Sequence, residues 1–116
     1  MILLGSTGSI GVNTLNIARK FNLNVEVLVA GRNIQLLNQQ IKEFNPKIVV
    51  IDRVEDIHLV CHNNVLFGQE AILQAIEQST SNTVVNALVG FLGLKPTLKA
   101  IVCGKKIALA NKESLV

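Results

Sequence analysis

Residues 2–11, ILLGSTGSIG, decide the fold of this chain of 116 residues. They begin with a short aliphatic run that predicts a buried β-strand, and the run passes directly into a turn with glycines at positions 5, 8 and 11. Gly5 permits a tight turn, Gly8 lets a phosphate approach backbone that carries no Cβ, and Gly11 lets the next helix pack closely. The order of strand, glycine turn and helix predicts a dinucleotide pyrophosphate site, with the N–H groups of residues 7–10 facing the anion.

The spacing of these glycines leaves a second interpretation open. It is GxxGxxG, whereas GxGxxG is the commoner pattern in dinucleotide-binding proteins. A loop of glycine and serine also occurs as a plain turn without a ligand. The glycine loop, defined as residues 5–8, is therefore a candidate phosphate site at this point.

The rest of the chain alternates short aliphatic runs with longer amphipathic stretches. Six strands are predicted, at residues 2–4, 25–30, 48–51, 65–67, 83–88 and 106–110. Strands that alternate with helices pair in parallel through right-handed crossovers. The predicted fold class is α/β, a doubly wound, mainly parallel Rossmann-like sheet in one domain over residues 1–116.

Helical patterns lie between the strands. The clearest one is capped by Asn33, ended by Pro46, and carries one apolar stripe made of Ile34, Leu37, Ile41 and Phe44. The helix after the first strand is predicted to pack through Ile10, Ile17 and Phe21, with Leu15 and Ala18 beside them. A later helix is predicted to pack through Leu94, Leu98 and Ile101, with Gly104 closing it. In the weakly patterned segment 52–64, residues 53–61 form either a short helix or an irregular connection.

The composition narrows the class of protein. With 49% hydrophobic and 16% charged residues, it is that of an ordinary folded domain. No apolar run approaches the roughly 18 residues of a spanning helix, and no leader pattern precedes Gly5, so we expect a cytoplasmic protein without a membrane partner. Cys61 and Cys103 are too few for a disulfide framework, so we expect reduced thiols.

The charge is mildly basic. Eleven Lys and Arg against eight Asp and Glu give a net charge of +3. The chain has no Tyr or Trp and only four Phe on which bases could stack, so we expect no nucleic-acid partner. A phosphorylated small ligand would account for the charge, and so would a basic solvated face.

The end of the second predicted strand bears on the choice of cofactor. NAD-binding domains usually place an acid there to hold the ribose 2′-hydroxyl, whereas this chain has Gly31, Arg32 and Asn33. Arg32 would form charge-assisted hydrogen bonds with a 2′-phosphate, worth about 1.5–3 kcal/mol. Without a phosphate-binding glycine loop, Arg32 is simply an exposed arginine after a strand.

A second polar group follows the last predicted strand. Asn111, Lys112 and Glu113 come directly after it, at the sheet edge where open α/β sheets bind ligands. Asn111 can anchor a cofactor, Lys112 can pair with a substrate phosphate or polarise a carbonyl, and Glu113 can fix a ribose or a carboxamide. A solvated polar loop explains the same residues equally well.

Several motifs together resemble one known family. They are GSTGSIG at residues 5–11, AGRN at 30–33, VG at 89–90, GL at 93–94, PT at 96–97 and LANKESLV at 109–116. The chain resembles the N-terminal part of 1-deoxy-D-xylulose 5-phosphate reductoisomerases over nearly its whole length. The first and last motifs are highly specific, and the match is weak between Asp52 and Asn64.

The resemblance implies an NADPH-dependent enzyme of non-mevalonate isoprenoid precursor synthesis. Such an enzyme isomerises 1-deoxy-D-xylulose 5-phosphate, a phosphorylated sugar, and reduces it to 2-C-methyl-D-erythritol 4-phosphate. Lys112 would contact that substrate, and contacts with NADPH are implied for Thr7, Gly8, Ser9, Ile10, Gly31, Arg32, Asn33, Asn111 and Glu113. Arg32 stands where many relatives carry lysine, a change that keeps the charge.

The resemblance also implies parts that this chain does not contain. The family continues beyond LANKESLV into catalytic, metal-binding and C-terminal domains, so the chain is predicted to be an NADPH-binding domain that is inactive alone. A divalent metal, manganese or magnesium, and a homodimer are implied only for the full-length enzyme. No catalytic or metal-binding residue is assigned to residues 1–116.

Other assignments are weighed against this one. His58, Cys61 and His62 have metal-ligand character but lack a fourth ligand, so a connector is the favoured interpretation. Asp52, Glu55 and Asp56 are interpreted as a solvated loop. The alternatives for function are a domain of another NADP-dependent reductase and a nonenzymatic dinucleotide-sensing module.

Overall fold

A single parallel sheet organises the molecule. The computed structural model describes residues 1–109. The strands in this range are β1 (Ile2–Leu4), β2 (Val27–Val29), β3 (Ile48–Ile51), β4 (Val65–Phe67), β5 (Thr83–Asn86) and β6 (Lys106–Leu109). They pair in parallel in the order β4-β3-β2-β1-β5-β6. The predicted doubly wound α/β class is confirmed.

Helices connect the strands. They are α1 (Ser9–Lys20), α2 (Ile34–Phe44), α3 (Gln69–Gln78) and α4 (Leu94–Val102), with short 3₁₀ helices at Val54–Leu59 and Gly90–Gly93. The open question about residues 53–61 is answered by the first of these 3₁₀ helices. Within residues 1–109, no helix combines the length and the apolar character needed to cross a bilayer.

The chain reverses its direction across the sheet at β1. It proceeds from β1 outward through β2 and β3 to β4, and then returns to place β5 on the other side of β1. One apolar cluster packs α1 and α2 against one face, around Leu15 and Leu37, and the other packs α3 and α4 against the opposite face, around Ala75 and Ala100. The carboxyl ends of β1 and β5 therefore flank the topological switch point, where such sheets bind ligands.

Two strands are shorter than predicted. The prediction for residues 25–30 becomes β2 at Val27–Val29, and the prediction for residues 83–88 becomes β5 at Thr83–Asn86. Asn86 explains the second difference, because its Oδ1 accepts a hydrogen bond from the N–H of Leu88 at 3.2 Å and turns the chain out of the sheet. The last predicted strand is β6 up to Leu109, and Ala110 lies outside the described residues.

The packing stripes predicted for α1 and α4 were only partly right: Leu15 and Ala18 are buried as predicted, but most of the larger residues named for the two helices are exposed. Ile17 and Phe21 are 55% and 65% exposed, and Ile10 is also exposed, whereas α1 packs through Gly11, Leu15 and Ala18. On α4, Leu98 and Ile101 are 53% and 59% exposed, and the buried residues are Pro96, Thr97 and Ala100. In both helices the buried face includes small residues, whereas several of the larger side chains stay exposed.

The boundaries of α2 and α4 were predicted correctly. Asn33 caps α2, because its Oδ1 accepts a hydrogen bond from the N–H of Leu36 at 3.2 Å. Asn45 then adopts a left-handed conformation, so α2 ends before Pro46. Gly104 closes α4 with a φ of +72°, and the N–H groups of Gly104 and Lys105 donate to the last carbonyls of the helix.

A buried carboxylate joins β2 to the chain that follows α3. Glu26 accepts hydrogen bonds from Ser79 Oγ at 2.8 Å and from the Thr80 N–H at 2.9 Å. Burial is the largest single influence and opposes ionisation, but these bonds, the Thr80 hydroxyl and the charge of Lys47 together outweigh it. The pKa of Glu26 therefore lies below its usual value.

We predict that Glu26→Gln removes part of the acid dependence of stability. A carboxyl with a lowered folded-state pKa stabilises the protein above its unfolded-state pKa, and this stabilisation is lost as the pH falls through the folded-state pKa. At neutral pH the variant should unfold about 1–3 kcal/mol more easily. Urea unfolding between about pH 7 and pH 3 would measure both effects, with the exposed Glu55→Gln as control. An unchanged acid profile in Glu26→Gln would contradict the role of Glu26.

Candidate functional site

The glycine loop lies at the switch point and is held by the neighbouring strand. Gly5 and Ser6 both donate their N–H groups to the carbonyl oxygen of Val29, at 2.8 and 2.9 Å. Gly5 has a φ of +88°, which favours glycine. A Cβ at Gly5 would also lie 2.9 Å from the carbonyl oxygen of Ala87, in the chain that follows β5. The loop therefore needs glycine here for both conformation and space.

The other two glycines differ in what surrounds them. A Cβ on Gly11 would lie 2.0 Å from the carbonyl oxygen of Gly5, so helix α1 and the glycine loop touch through backbone alone. A Cβ on Gly8 would meet nothing closer than 3.8 Å. Within the protein, Gly8 is thus free to vary in size, whereas Gly11 is not.

The first turn of α1 has the features of the anion site predicted from sequence. The helix starts at Ser9 with no acidic residue in its first turn, and its first closing bond runs from the Val12 N–H to the Gly8 oxygen at 2.9 Å. The N–H groups of a first helical turn have no partners within the helix, and the helix dipole places positive charge there. Thr7, Gly8, Ser9 and Ile10 are thereby brought to the surface that a phosphate would approach.

The cationic residue predicted after β2 lies next to this surface and carries an acidic partner. Arg32 is exposed, and its Nε lies 3.3 Å from Oδ2 of Asp52, which follows β3. Asp52 is exposed, as the sequence interpretation expected, and its pairing with Arg32 is the feature that this interpretation did not contain. The rule that found Arg32, a polar residue directly after a strand, applies equally to Asp52.

Gly31 and Asn33 flank Arg32 in different ways. A Cβ on Gly31 would meet nothing within 4 Å, so the space beside it is open. Asn33 already serves as the cap of α2, and any ligand contact would be additional to that role. The structure therefore brings Gly31 and Arg32 to an open rim beside the glycine loop.

An apolar cleft of about 230 Å³ opens beside Arg32. It lies between the carboxyl ends of β2, β3 and β4 and the starts of α3 and α4. Val29, Ile51, Ile72, Leu88, Leu92 and Pro96 supply its apolar lining, and Asp52, Glu70 and Lys95 are its charged residues. Mostly apolar walls with a few polar groups suit a flat heteroaromatic ring.

A buried amide shapes one wall of this cleft. Asn86 is fully buried, and its Nδ2 donates to the carbonyl oxygen of Gly93 at 2.9 Å and to Thr97 Oγ1 at 2.8 Å. These bonds hold the chain between β5 and α4 onto the sheet, and that chain carries Leu88 and Leu92. Asn86 was not singled out from sequence, although its place at the end of a strand is the available signal.

Sequence reasoning also missed Gln40, which makes a hydrogen bond to the glycine loop from helix α2. Gln40 of α2 is buried, and its Nε2 donates to the carbonyl oxygen of Ser6 at 2.8 Å. The signal in the sequence is an amide on the packing face of α2, between Leu37 and Ile41.

The third group of predicted residues lies outside the described part. Strand β6 ends at Leu109, which pairs with Asn86 at the same edge of the sheet as the glycine loop. Asn111, Lys112 and Glu113 follow, beyond the described residues 1–109.

Two residues of the segment weighed for metal binding or acid chemistry, His62 and Asp56, make contacts within the protein. Both ring nitrogens of His62 are engaged, Nε2 with the carbonyl oxygen of Pro46 at 2.7 Å and Nδ1 with the N–H of Asn64 at 2.9 Å. Asp56 is nearly buried beside Arg53, which corrects its assignment to a solvated loop. Across residues 1–109, no three His, Cys, Asp or Glu side chains come together as a metal site.

The comparisons with known proteins agree on one family. A family model described as 1-deoxy-D-xylulose 5-phosphate reductoisomerase matches residues 1–116. Reductoisomerases of that name from Nautilia profundicola and Wolinella succinogenes are 60% and 58% identical to the chain over its whole length. The aligned part is 32% and 33% of those proteins, so the chain spans about a third of the curated relatives it matches.

Solved structures give the same result. The Zymomonas mobilis reductoisomerase in complex with NADPH superposes with a TM-score of 0.87 at 35% identity, covering 98% of this chain and 32% of that one. A reductoisomerase in complex with NADPH, fosmidomycin and magnesium has a TM-score of 0.90 at 32% identity, covering 98% and 30%.

We predict opposite outcomes for valine at two glycines of the loop and helix. Gly11→Val should lower the free energy of unfolding by more than about 3 kcal/mol or prevent folding, because its Cβ meets backbone that has no room to move. Gly8→Val should fold normally but lose nucleotide binding, because the branched side chain occupies the approach to the first turn of α1. Urea unfolding, circular dichroism and calorimetry with ADP would measure these effects. A folded Gly8→Val chain that binds ADP like the wild type would refute the phosphate role of the loop.

Proposed function

The chain belongs to the 1-deoxy-D-xylulose 5-phosphate reductoisomerase family, and from this premise we propose that it is the NADPH-binding part of such an enzyme. The whole protein would isomerise 1-deoxy-D-xylulose 5-phosphate and reduce it to 2-C-methyl-D-erythritol 4-phosphate, in non-mevalonate isoprenoid precursor synthesis. One observation carries the proposal: the glycine loop, which has no side chain at Gly8, is hydrogen-bonded to β2, and an exposed arginine follows that strand. The relatives crystallised with NADPH support it.

The residues of this chain fit the pyrophosphate of NADPH. A Cβ on Gly8 would meet nothing closer than 3.8 Å, and the adjacent first turn of α1 carries no acid that would repel an anion. The residues proposed to hold the cofactor here are Thr7, Gly8, Ser9 and Ile10. When bound, NADPH supplies the hydride for the reduction, and these residues bind and orient it.

Selection for the 2′-phosphate is proposed for Arg32, with Gly31 and Asn33 beside it. The side chains of Arg32 and Asp52 are 67% and 53% exposed, so their ion pair is worth little and can open. A phosphate dianion offers Arg32 a stronger partner than one carboxylate. Asp52, which lines the cleft, is thus a weak partner of Arg32, and a 2′-phosphate would take its place or share the arginine.

The remaining roles rest on family membership. We propose that Asn111 and Glu113 contact the cofactor and that Lys112 contacts the phosphorylated sugar. The divalent metal, magnesium or manganese, is proposed to bind elsewhere in the complete protein. A cytoplasmic homodimer with neither nucleic-acid nor membrane partners is proposed for that protein.

We predict that the chain prefers NADPH to NADH by about tenfold to a hundredfold, the equivalent of about 1.5–3 kcal/mol from the contacts of Arg32. Arg32→Asp should abolish this preference. Lys42→Asp is the matched control, since it makes the same charge change at the far end of α2. Calorimetry with both cofactors measures the ratio. Equal affinities in the wild type, or discrimination that survives Arg32→Asp, would remove the assigned role of Arg32.

We also predict that the 116-residue chain alone does not oxidise NADPH when 1-deoxy-D-xylulose 5-phosphate and magnesium are supplied. Among residues 1–109, no three His, Cys, Asp or Glu side chains come together as a metal site, and the proposed rearrangement would require a metal ion to hold the substrate oxygens. Substrate-dependent oxidation of NADPH by the chain, after removal of any host reductoisomerase, would contradict this prediction.

In the complete enzyme, Lys112→Ala should lower activity strongly and leave NADPH affinity near normal, because the contact proposed for Lys112 is with the substrate.

A further inference from the structure

Gln40 occupies a position where a polar side chain is unexpected. It lies on the packing face of α2 and is only 6% exposed. Its Oε1 has no hydrogen-bond partner within the described part of the chain. A buried amide with an unpartnered acceptor costs free energy, so Gln40 is a poor choice for stability alone.

The other end of the amide makes one specific contact. Nε2 of Gln40 donates to the carbonyl oxygen of Ser6 at 2.8 Å, and the N–H of Ser6 donates to the Val29 oxygen at 2.9 Å. Ser6 is fully buried in the middle of the glycine loop. Its peptide groups are therefore fixed from two sides, by strand β2 and by helix α2.

Helix α2 also carries the residue proposed to select the cofactor. Arg32 and the cap residue Asn33 directly precede the helix, and Gln40 lies about two turns further along it. A helix is a rigid spacer, with a rise of about 1.5 Å per residue. The same helix therefore fixes Arg32 at one end and reaches the glycine loop with Gln40.

We propose that Gln40 is a positioning residue for the glycine loop, and that its bond to Ser6 sets the place of the pyrophosphate relative to the 2′-phosphate. The inference rests on the proposed NADPH function. Gln40 does not touch the cofactor; it acts through Ser6, which it holds so that the N–H groups of the next residues face the phosphates. Loss of the bond leaves Arg32 in place but loosens the loop.

The test compares three ligands. ADP carries only the pyrophosphate, 2′-AMP carries only the 2′-phosphate, and NADPH carries both. Gln40→Met keeps the length of the side chain and removes its donor, and Gln39→Met changes the exposed neighbour as a matched control. Affinities for ADP, 2′-AMP and NADPH are measured by titration, after circular dichroism has shown an intact fold. We expect ADP and NADPH to bind about three- to tenfold more weakly to Gln40→Met, and 2′-AMP to bind as to the wild type. Gln39→Met should change none of them.

A second measurement needs no ligand. The Ser6 amide is hydrogen-bonded to Val29, so its hydrogen exchange reports opening of the glycine loop. Gln40→Met should speed this exchange at least about threefold, while the Ala30 amide, bonded to the Val50 oxygen, keeps its rate. Gln40→Asn, whose side chain is too short to reach Ser6, should behave like Gln40→Met. It replaces Gln40→Met in both measurements if that variant does not fold.

The outcomes separate this inference from the proposed function. Unchanged affinities and unchanged Ser6 exchange in a folded variant would overturn the role of Gln40. Equal weakening of all three ligands would also overturn it, because a positioning residue of the loop should spare 2′-AMP. If the wild-type chain binds none of the ligands, the proposed function fails, and the exchange of Ser6 still decides whether Gln40 fixes the loop.

Discussion

The backbone contact between Gly11 and Gly5 is the constraint on which the site depends. Because a Cβ on Gly11 would lie 2.0 Å from the Gly5 oxygen, α1 starts as close to the end of β1 as backbone atoms allow. The first turn of the helix is thereby placed at the switch point of the sheet, where β2 and β5 also end. An anion held there lies against N–H groups instead of side chains, so its recognition does not depend on any one side-chain rotamer.

Two sets of side-chain hydrogen bonds support the site around that contact. Helix α2 connects the glycine loop with Arg32, since Gln40 donates a hydrogen bond to Ser6 and Arg32 lies just before the helix. On the other side, Asn86 holds the chain that forms one wall of the apolar cleft. The polar groups that shape the site are thus mostly buried and bonded to backbone, whereas Arg32, which would meet the ligand, is exposed and only weakly paired.

The sequence predicted the strands, the sheet class and the glycine loop, because aliphatic runs and glycine spacing report backbone geometry directly. It named Leu15 and Ala18 of α1 correctly but was wrong about most of the larger residues expected to pack on α1 and α4. In α1, hydrophobicity favours Ile17 and Phe21, but close approach to the sheet requires Gly11 and Ala18, and side-chain size decides. The contact of Gln40 with the glycine loop and the ion pair of Asp52 were not predicted, for a different reason. Their roles come from partners 34 and 20 residues away, Ser6 and Arg32, and local patterns do not contain those distances.

The pairing of β1 with β5 imposes an order on folding. Leu4 pairs with Val29 and also with Asn86, which is much further away in sequence. A nascent chain that ends before β5 can form the β1–β4 half of the sheet, yet one edge of its central strand stays unpaired and open to other strands. Gly5 meets Ala87 only after the long-range pair has closed, a step that the large sequence separation makes slow. The surroundings of Gly5 are therefore completed only when pairing with β5 covers this open edge of β1.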